Sequence, residues 1–159
     1  MPPQLLINLP ELDLNKIVLN KQKIETILPH RYEMQQLDGV LKFDKENRII
    51  VGYKDITPAE FWVRGHIPGR PLMPGVIMLE AAAQLSSVYC CLDDLVSTDK
   101  FIGLGGIEKV KFRGTVQPGD KLILVIKCLE LRPRRGIFEA QGIVDDKLVF
   151  EATIIGMPV

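Results

Sequence analysis

The chain has 159 residues, of which 20 are basic and 20 acidic, so its formal net charge at neutral pH is zero. This length predicts one domain with its own core, and the charge balance argues against binding to nucleic acid or to an anionic membrane. Its three cysteines lack the spacing of a disulfide framework, and its two histidines are too isolated for a zinc site. The N-terminus shows no signal-peptide pattern. We therefore expect a reducing, cytoplasmic location and no metal ion.

The first third of the chain predicts an arm, a short helix and strands. Residues 1–20 carry three prolines among scattered Leu and Ile, which indicates an irregular N-terminal arm packed on the surface. Apolar residues at helical spacing predict a short helix from Lys21 to Leu28, stopped by Pro29. Two β-rich runs between Leu37 and Asp55, separated by a polar turn, predict a pair of strands. The apolar run Phe61 to Val63 predicts a further short strand.

The stretch from residue 65 to residue 84 changes character at Pro74. Before Pro74, prolines and glycines exclude a helix. After it, residues 76–88 contain neither, and they are rich in Ala, Leu and Met, which are good helix formers. We predict a long buried helix that begins at Pro74 or Gly75, since Pro is tolerated in the first turn.

The polar exceptions in this helix fall on one stripe. Around the helix axis, Gln84 lies about 40° from Glu80, and Ser87 lies about 20° from Glu80 on the other side. They also argue against a membrane span. A carboxylate inside a domain needs a reason, and the alternative is that Glu80 faces solvent at the helix edge. His66 is likewise either functional or a loop histidine hydrogen-bonded in a tight turn.

The remaining chain predicts a loop and then a meander of strands. The loop runs from Asp93 to about Lys100. The Pro118-Gly119 pair has the chemistry of a type II turn. Both faces of one predicted strand, Asp120 to Leu131, are largely apolar, so this strand should lie in the middle of the sheet. The other predicted strands are Ile107 to Phe112 and a hairpin, Gly136 to Val144 and Leu148 to Ile155, turning at Asp145-Asp146. One long helix against an antiparallel sheet is an α+β arrangement.

The motif Gly-His-x-Pro-Gly-x-Pro-x-Met-Pro-Gly-Val at 65–76, followed by Glu-Ala-x-Ala-Gln at 80–84, resembles the signature of the FabZ-type β-hydroxyacyl-[acyl-carrier-protein] dehydratases. Leu-Pro-His-Arg-Tyr at 28–32 also resembles a family motif, and the resemblance extends over about residues 22–156. It implies a hot-dog fold, in which an antiparallel sheet wraps around one long central helix. Residues 21–159 would form that single domain, and the arm at 1–20 is extra to the family.

The resemblance implies roles for four residues. His66 would be the base that removes a proton from C2, and Glu80 the acid that protonates the hydroxyl leaving C3. A histidine suits the first role because it is largely neutral near pH 7, and a glutamate suits the second only if it keeps its proton. The N–H of Gly75 would bind the thioester oxygen, or Gly75 serves a tight turn. Gln84 would orient Glu80.

The resemblance also implies partners. The substrate would be a 3-hydroxyacyl thioester on acyl carrier protein, with no cofactor, no nucleic acid and no membrane. Three basic residues, Lys109, Lys111 and Arg113, share one predicted strand face and are candidates for carrier docking, or they form a solvated outer face. A homodimer is expected, in which each pocket borrows Glu80 from the neighbour, and a trimer of dimers stays open. His30 is expected to be structural, lining the dimer contact.

The chain departs from the family at several positions. Gln35-Gln36 replaces two leucines, Glu33 a proline and Gly39 an arginine. Ile102-Gly103 stands where the family has an aromatic gate to its acyl tunnel, so we predict an open tunnel. Two alternatives to a dehydratase remain at this point: a hot-dog thioesterase, and a non-catalytic acyl-binding or partner subunit.

Overall fold

The structure is a computed structural model and describes residues 3–94 and 101–159. Within these ranges, one seven-stranded antiparallel sheet, ordered β1-β2-β3-β5-β6-β7-β4, packs on one 18-residue helix. The helices are α1 (Lys21–Glu25) and α2 (Gly75–Leu92), with 3₁₀ turns at Leu9–Glu11 and Tyr32–Met34. The strands are β1 (Leu19–Asn20), β2 (Gly39–Asp44), β3 (Ile49–Asp55), β4 (Ile102–Phe112), β5 (Lys121–Arg132), β6 (Arg135–Val144) and β7 (Lys147–Pro158).

Helix α2 is the predicted central helix and begins at the predicted residue, Gly75. Its side chains pack on the inner face of the sheet, and Ala82, Leu85 and Val88 have no solvent exposure. By length and composition the helix could cross a membrane, with a mean hydropathy of 1.5, but 61% of it is buried inside the fold. Burial of this kind is what the apolar sequence of a core helix requires.

Strand β5 is central, as predicted, because it pairs with β3 on one side and β6 on the other. Its two apolar faces have different partners. Leu122, Leu124 and Ile126 point to α2 and belong to the main core. Ile123 and Val125 point to the outer face of the sheet, where they join a second apolar cluster.

The N-terminal arm covers that second cluster. Apolar arm residues between Leu5 and Leu12 pack against the outer side chains of β2, β3, β5 and β6. Buried Gln141 of β6 fixes the arm backbone, since its Oε1 accepts from Leu6 N–H at 2.8 Å and its Nε2 donates to Gln4 O at 2.9 Å. The arm therefore removes from water an outer face that would otherwise be apolar.

Several local predictions are confirmed. Gly119 has φ +100° in the turn that closes with Asp120 N–H on Gln117 O, which is the positive φ of a type II turn. Asp145 and Asp146 have φ 49° and 63°, as a two-residue hairpin between β6 and β7 requires.

Three predictions need correction. Helix α1 ends at Glu25, three residues early. The chain then tightens into turns, since Thr26 N–H donates to Lys23 O and Ile27 N–H donates to Ile24 O. The segment Phe61 to Val63 is a series of turns and not a strand, since Val63 N–H bonds back to Glu60 O. Strand β4 is longer than predicted and loses its period of two at bulges, one of them at 108–111. The predicted loop after α2 falls partly outside the described residues, at 95–100.

Candidate active site

Glu80 lies at the side of a cavity between α2 and the ends of β4, β6 and β7. Its side chain is 26% exposed, and the predicted polar stripe of Glu80, Gln84 and Ser87 lines this cavity along the helix. The opposite walls are largely apolar and include Phe101, Ile102, Leu104, Phe138 and Ile154. Glu80 thus places a carboxyl group in the wall of a mostly apolar chamber.

Gln84 holds Glu80 in place. Its Nε2 donates to Glu80 Oε1 at 2.9 Å and to Met34 O at 2.7 Å, and its Oε1 accepts from Gln36 N–H at 3.0 Å. Gln84 is 2% exposed and every one of these groups is paired. Gln84 therefore holds the carboxyl group by a hydrogen bond and ties the 34–36 segment to α2.

His30 also borders the cavity, which the sequence analysis did not predict. Its Nε2 lies 3.6 Å from Glu80 Oε1, and its ring centroid lies 5.8 Å from that of Phe101. Burial lowers the pKa of His30, the Glu80 carboxylate opposes that shift, and Arg31 adds to it. The signal available in the sequence was its place in the Leu-Pro-His-Arg motif, but no periodicity links a loop residue to a helix 50 residues away.

His66 lies on a loop that is held at both ends. Its N–H donates to Trp62 O at 2.8 Å, its carbonyl accepts from Leu72 N–H at 2.8 Å, and Met73 N–H bonds Val116 O at 2.7 Å. The His66-Ile67 peptide bond is cis, and the side chain is exposed.

The ring of His66 has a defined tautomer. Its Nδ1 lies 2.7 Å from Leu72 O. A carbonyl oxygen can only accept, so Nδ1 carries the hydrogen and donates it. In the neutral ring the lone pair is then on Nε2, which makes no hydrogen bond among the described residues and could act as a base.

Gly75 is the first residue of α2, and its N–H lies ahead of the hydrogen-bonded turns, since Ile77 and Met78 N–H are the first to bond back, to Pro74 O. An N-terminal N–H carries partial positive charge and suits a developing oxyanion. A Cβ at Gly75 would lie 2.6 Å from the ring of Phe112, so glycine lets this ring approach the helix terminus closely, and Gly75 does not have a positive φ.

The chain does not bring His66 to Glu80. His66 is not among the described residues that line the Glu80 cavity, and no hydrogen bond joins the two side chains in the described ranges. The cavity itself measures about 60 Å³, well below the roughly 300 Å³ of a small-molecule pocket. Within one chain, Glu80 and His66 are therefore separate and do not form a common site.

Known proteins have sequences similar to this one. A family model described as a FabA-like domain matches residues 28–153. The 3-hydroxyacyl-[acyl-carrier-protein] dehydratase FabZ of Koribacter versatilis (strain Ellin345) is 38% identical over 139 residues, which span 87% of this chain and 88% of the relative. The same enzyme of Clostridium beijerinckii (strain ATCC 51743 / NCIMB 8052) is 38% identical over 143 residues, 87% of this chain and 97% of the relative. The chain belongs to the FabZ-type dehydratase family.

Solved structures agree on the fold. A chain of the dehydratase heterocomplex ApeI:P from Xenorhabdus doucetiae superposes with a TM-score of 0.70 at 15% identity, over 86% of this chain and 90% of that one. Cj0977, a sigma28-regulated virulence protein from Campylobacter jejuni, gives 0.67 at 16% identity, over 93% and 96%. At such identities the likeness shows the fold alone, and it confirms the predicted hot-dog fold.

The departures from the FabZ-type pattern have local explanations. A Cβ at Gly39 would lie 2.6 Å from the Tyr53 ring, so the arginine that the pattern predicts has no room there. Gln35 Nε2 donates to Glu25 Oε1 at 2.8 Å, and Gln36 Nε2 to Glu33 O at 2.7 Å, so both glutamines brace the turn that carries Met34. Gln84 bonds only backbone groups of this turn, Met34 O and Gln36 N–H. These groups would be present with glutamines or with leucines at positions 35 and 36.

The gate region is occupied by other side chains. Gly103 lines the Glu80 cavity, but a Cβ there would lie 3.3 Å from the Val159 side chain. Phe101 and Leu104 line the same cavity. An aromatic ring is therefore present two residues before the position where the FabZ-type pattern has one.

The three predicted docking residues are exposed and lie on or just past β4, near Glu151 of the neighbouring strand β7. Lys109 has φ 52° in the bulge of β4 and borders an outer groove with Glu151, and Lys111 is registered opposite Glu151. Arg113 lies just past the strand and pairs with Glu151 through Nε at 3.0 Å. They form one outer basic cluster, although the bulge breaks the simple alternation from which it was predicted.

Proposed function

We propose that this chain dehydrates (3R)-3-hydroxyacyl-[acyl-carrier-protein] to trans-2-enoyl-[acyl-carrier-protein] in fatty acid biosynthesis. The observation that carries the proposal is a carboxyl group fixed in an apolar chamber of a chain that belongs to this family. The exposed base on the motif loop supplies the second group that the reaction needs.

The reaction removes one proton and one hydroxyl group. His66 Nε2 takes the proton from C2, and negative charge develops on the thioester oxygen. The N–H of Gly75 at the start of α2 donates to that oxygen. The C3–O bond then breaks, and Glu80 gives its proton to the leaving hydroxyl, which departs as water. The electrons of the C2–H bond become the C2–C3 double bond, and each protein group ends one proton different from its start.

The complete site needs a second copy of the chain. Glu80 lies in a cavity that the described His66 does not line, and β4 is an edge strand of the sheet. Two large apolar residues of this strand are exposed, Leu104 to 48% and Phe112 to 51%. Their exposure favours burial against a partner. We infer a homodimer in which Glu80 of one chain serves His66 of the other. Trimers of such dimers would leave this pairing intact.

The thioester would arrive on acyl carrier protein. The outer basic cluster of Lys109, Lys111 and Arg113 is a docking candidate, with Glu151 as the intramolecular anion that an acidic partner would displace from Arg113. The substrate of fatty acid synthesis also implies a cytoplasmic protein, which the three free thiols suit.

The test is hydration of crotonyl-CoA by the purified full chain, measured as loss of enoyl absorbance. The Glu80→Gln variant is the control. We expect turnover by the wild type and almost none by the control. Release of free thiol without loss of the enoyl group would identify a thioesterase instead. Binding without either reaction would identify a non-catalytic acyl-binding subunit.

A further inference from the structure

His30 is the second ionisable group in the Glu80 chamber. Its Nε2 lies 3.6 Å from Glu80 Oε1, the same oxygen that accepts from Gln84. The distance is beyond a direct hydrogen bond, but catalytic hydrogen bonds are often long without substrate and tighten in the complex. The two side chains are 18% and 26% exposed, so water screens them only in part.

The His30 backbone is fixed by its neighbour. The guanidinium of Arg31 donates to the carbonyls of Glu25, Leu28 and His30 at 3.0, 2.9 and 2.7 Å. Phe101 flanks the ring of His30. The backbone of His30 is therefore held in place, and its Nε2 lies on the side of Glu80.

The proton arrangement of the ring follows from burial. Nδ1 of His30 is buried without a hydrogen-bond partner among the described residues. A doubly protonated ring would bury an unpaired N–H there, so the neutral ring with its hydrogen on Nε2 is favoured. Burial lowers the pKa of His30, Glu80 raises it, and Arg31 lowers it. The other charged side chains on this side, Lys21 and Glu25 of α1, lie across a small cavity behind the ring.

We propose that His30 is a positioning residue that donates its Nε2–H to the Glu80 carboxylate once Glu80 has given its proton to the leaving hydroxyl. Gln84 supplies one donor to this oxygen and His30 supplies the second. The carboxylate is then held in the chamber until it is reprotonated, and its orientation is the same before and after the reaction. This inference rests on the proposed dehydratase function.

Three substitutions separate donation from packing. His30→Leu removes the donor, His30→Gln places an amide N–H close to the position of Nε2, and His30→Asn places one close to Nδ1 instead. We expect roughly a tenfold loss of kcat in His30→Leu with KM nearly unchanged, because a hydrogen bond to a charged group is lost. His30→Gln should restore most of kcat and His30→Asn should not. Equal kcat in all three folded variants and the wild type would overturn the proposal.

The pH profile is a second kinetic measurement. In the dehydration direction the acid must carry its proton, so activity falls at the pH where the carboxyl group ionises. Loss of a donor to the anion should move this alkaline limb of kcat to higher pH in His30→Leu and leave it in place in His30→Gln. An alkaline limb that does not move in His30→Leu contradicts donation to the carboxylate.

An NMR titration tests the contact without turnover. The chain has two histidines, so the ring resonance of His30 can be assigned by comparison with a His66 variant. Because the carboxylate raises the pKa of His30, Glu80→Gln should shift its titration midpoint downward. A wild type that turns over no thioester refutes the proposed function, and the titration still decides on His30: an unchanged midpoint overturns its pairing with Glu80, and a lowered one supports it.

Discussion

Glu80 and His66 lie in opposite surroundings. Glu80 is held by buried Gln84, faces His30 and borders an apolar chamber. His66 is exposed, and among the described residues its ring makes one hydrogen bond, to Leu72 O of its own loop. The fold of a single chain fixes the Glu80 carboxyl group, whereas Nε2 of His66 has no hydrogen-bond partner among the described residues.

These two environments match the different chemical requirements of an acid and a base. The acid needs a dry, fixed environment, which only a folded core provides. The base needs its lone pair free, and an exposed loop with a locked tautomer provides that. Because the chamber measures only about 60 Å³, we propose that a second chain adds the surface that completes a substrate-sized pocket.

The largest effect should come from removing either half. We expect His66→Ala and Glu80→Ala each to lower kcat by about 10² to 10⁴, the usual contribution of a general acid or base. Both residues are partly or fully exposed, so the fold should persist. Circular dichroism and thermal melting check the fold, and enoyl absorbance checks the rate.

Mixing these two variants tests whether Glu80 of one chain and His66 of another form a site together. In a symmetric dimer with exchanging subunits, about half of the dimers are mixed and each has one intact site, so about a quarter of wild-type activity should return. A site contained in one chain would give no recovery. A monomeric wild type with full activity would also exclude the arrangement.

Sequence alone predicted much of this, and the failures have physical causes. The Pro and Gly pattern before Gly75 and the apolar run after it place the loop and α2, because local sterics decide both. The meeting of His30 with Glu80 depends on how two distant segments pack, which local patterns do not encode. The same holds for the second apolar cluster, on the outer face of the sheet. The sequence of β5 indicates two apolar faces, but only the fold shows that the N-terminal arm covers one of them.

The junction between the two regions is Gly75. A Cβ at Gly75 would lie 2.6 Å from the ring of Phe112, which is 51% exposed, so either this ring or the backbone that carries the Gly75 N–H must move. We expect part of the movement to fall on the backbone and Gly75→Ala to lower kcat by about 10- to 100-fold. Phe112→Leu in the same chain should recover part of that loss by making room. If the double variant is as impaired as the single one, glycine is needed for another reason.

The far wall of the Glu80 chamber should affect substrate choice more than rate. With no ring at Gly103, activity should hold or rise as the acyl chain lengthens, each buried CH₂ being worth up to about 0.8 kcal/mol. Gly103→Tyr should narrow the range, measured as kcat/KM over a series of 3-hydroxyacyl chains. Phe101→Ala is the matched variant: if Phe101 already limits the chamber, the wild type will show a short cutoff that this change relaxes and Gly103→Tyr leaves alone.

The N-terminal arm is the region that should matter to neither half of the site, and Gln141 tests this. Gln141→Leu leaves Leu6 N–H and Gln4 O without the partners they have now, so we expect the free energy of unfolding to fall by about 1–3 kcal/mol. Gln141→Glu keeps the acceptor for Leu6 N–H and should cost less. Urea unfolding measures both, and kcat of the folded variants should equal that of the wild type. A loss of kcat without a loss of stability would show instead that the outer face of the sheet communicates with the chamber on its inner face.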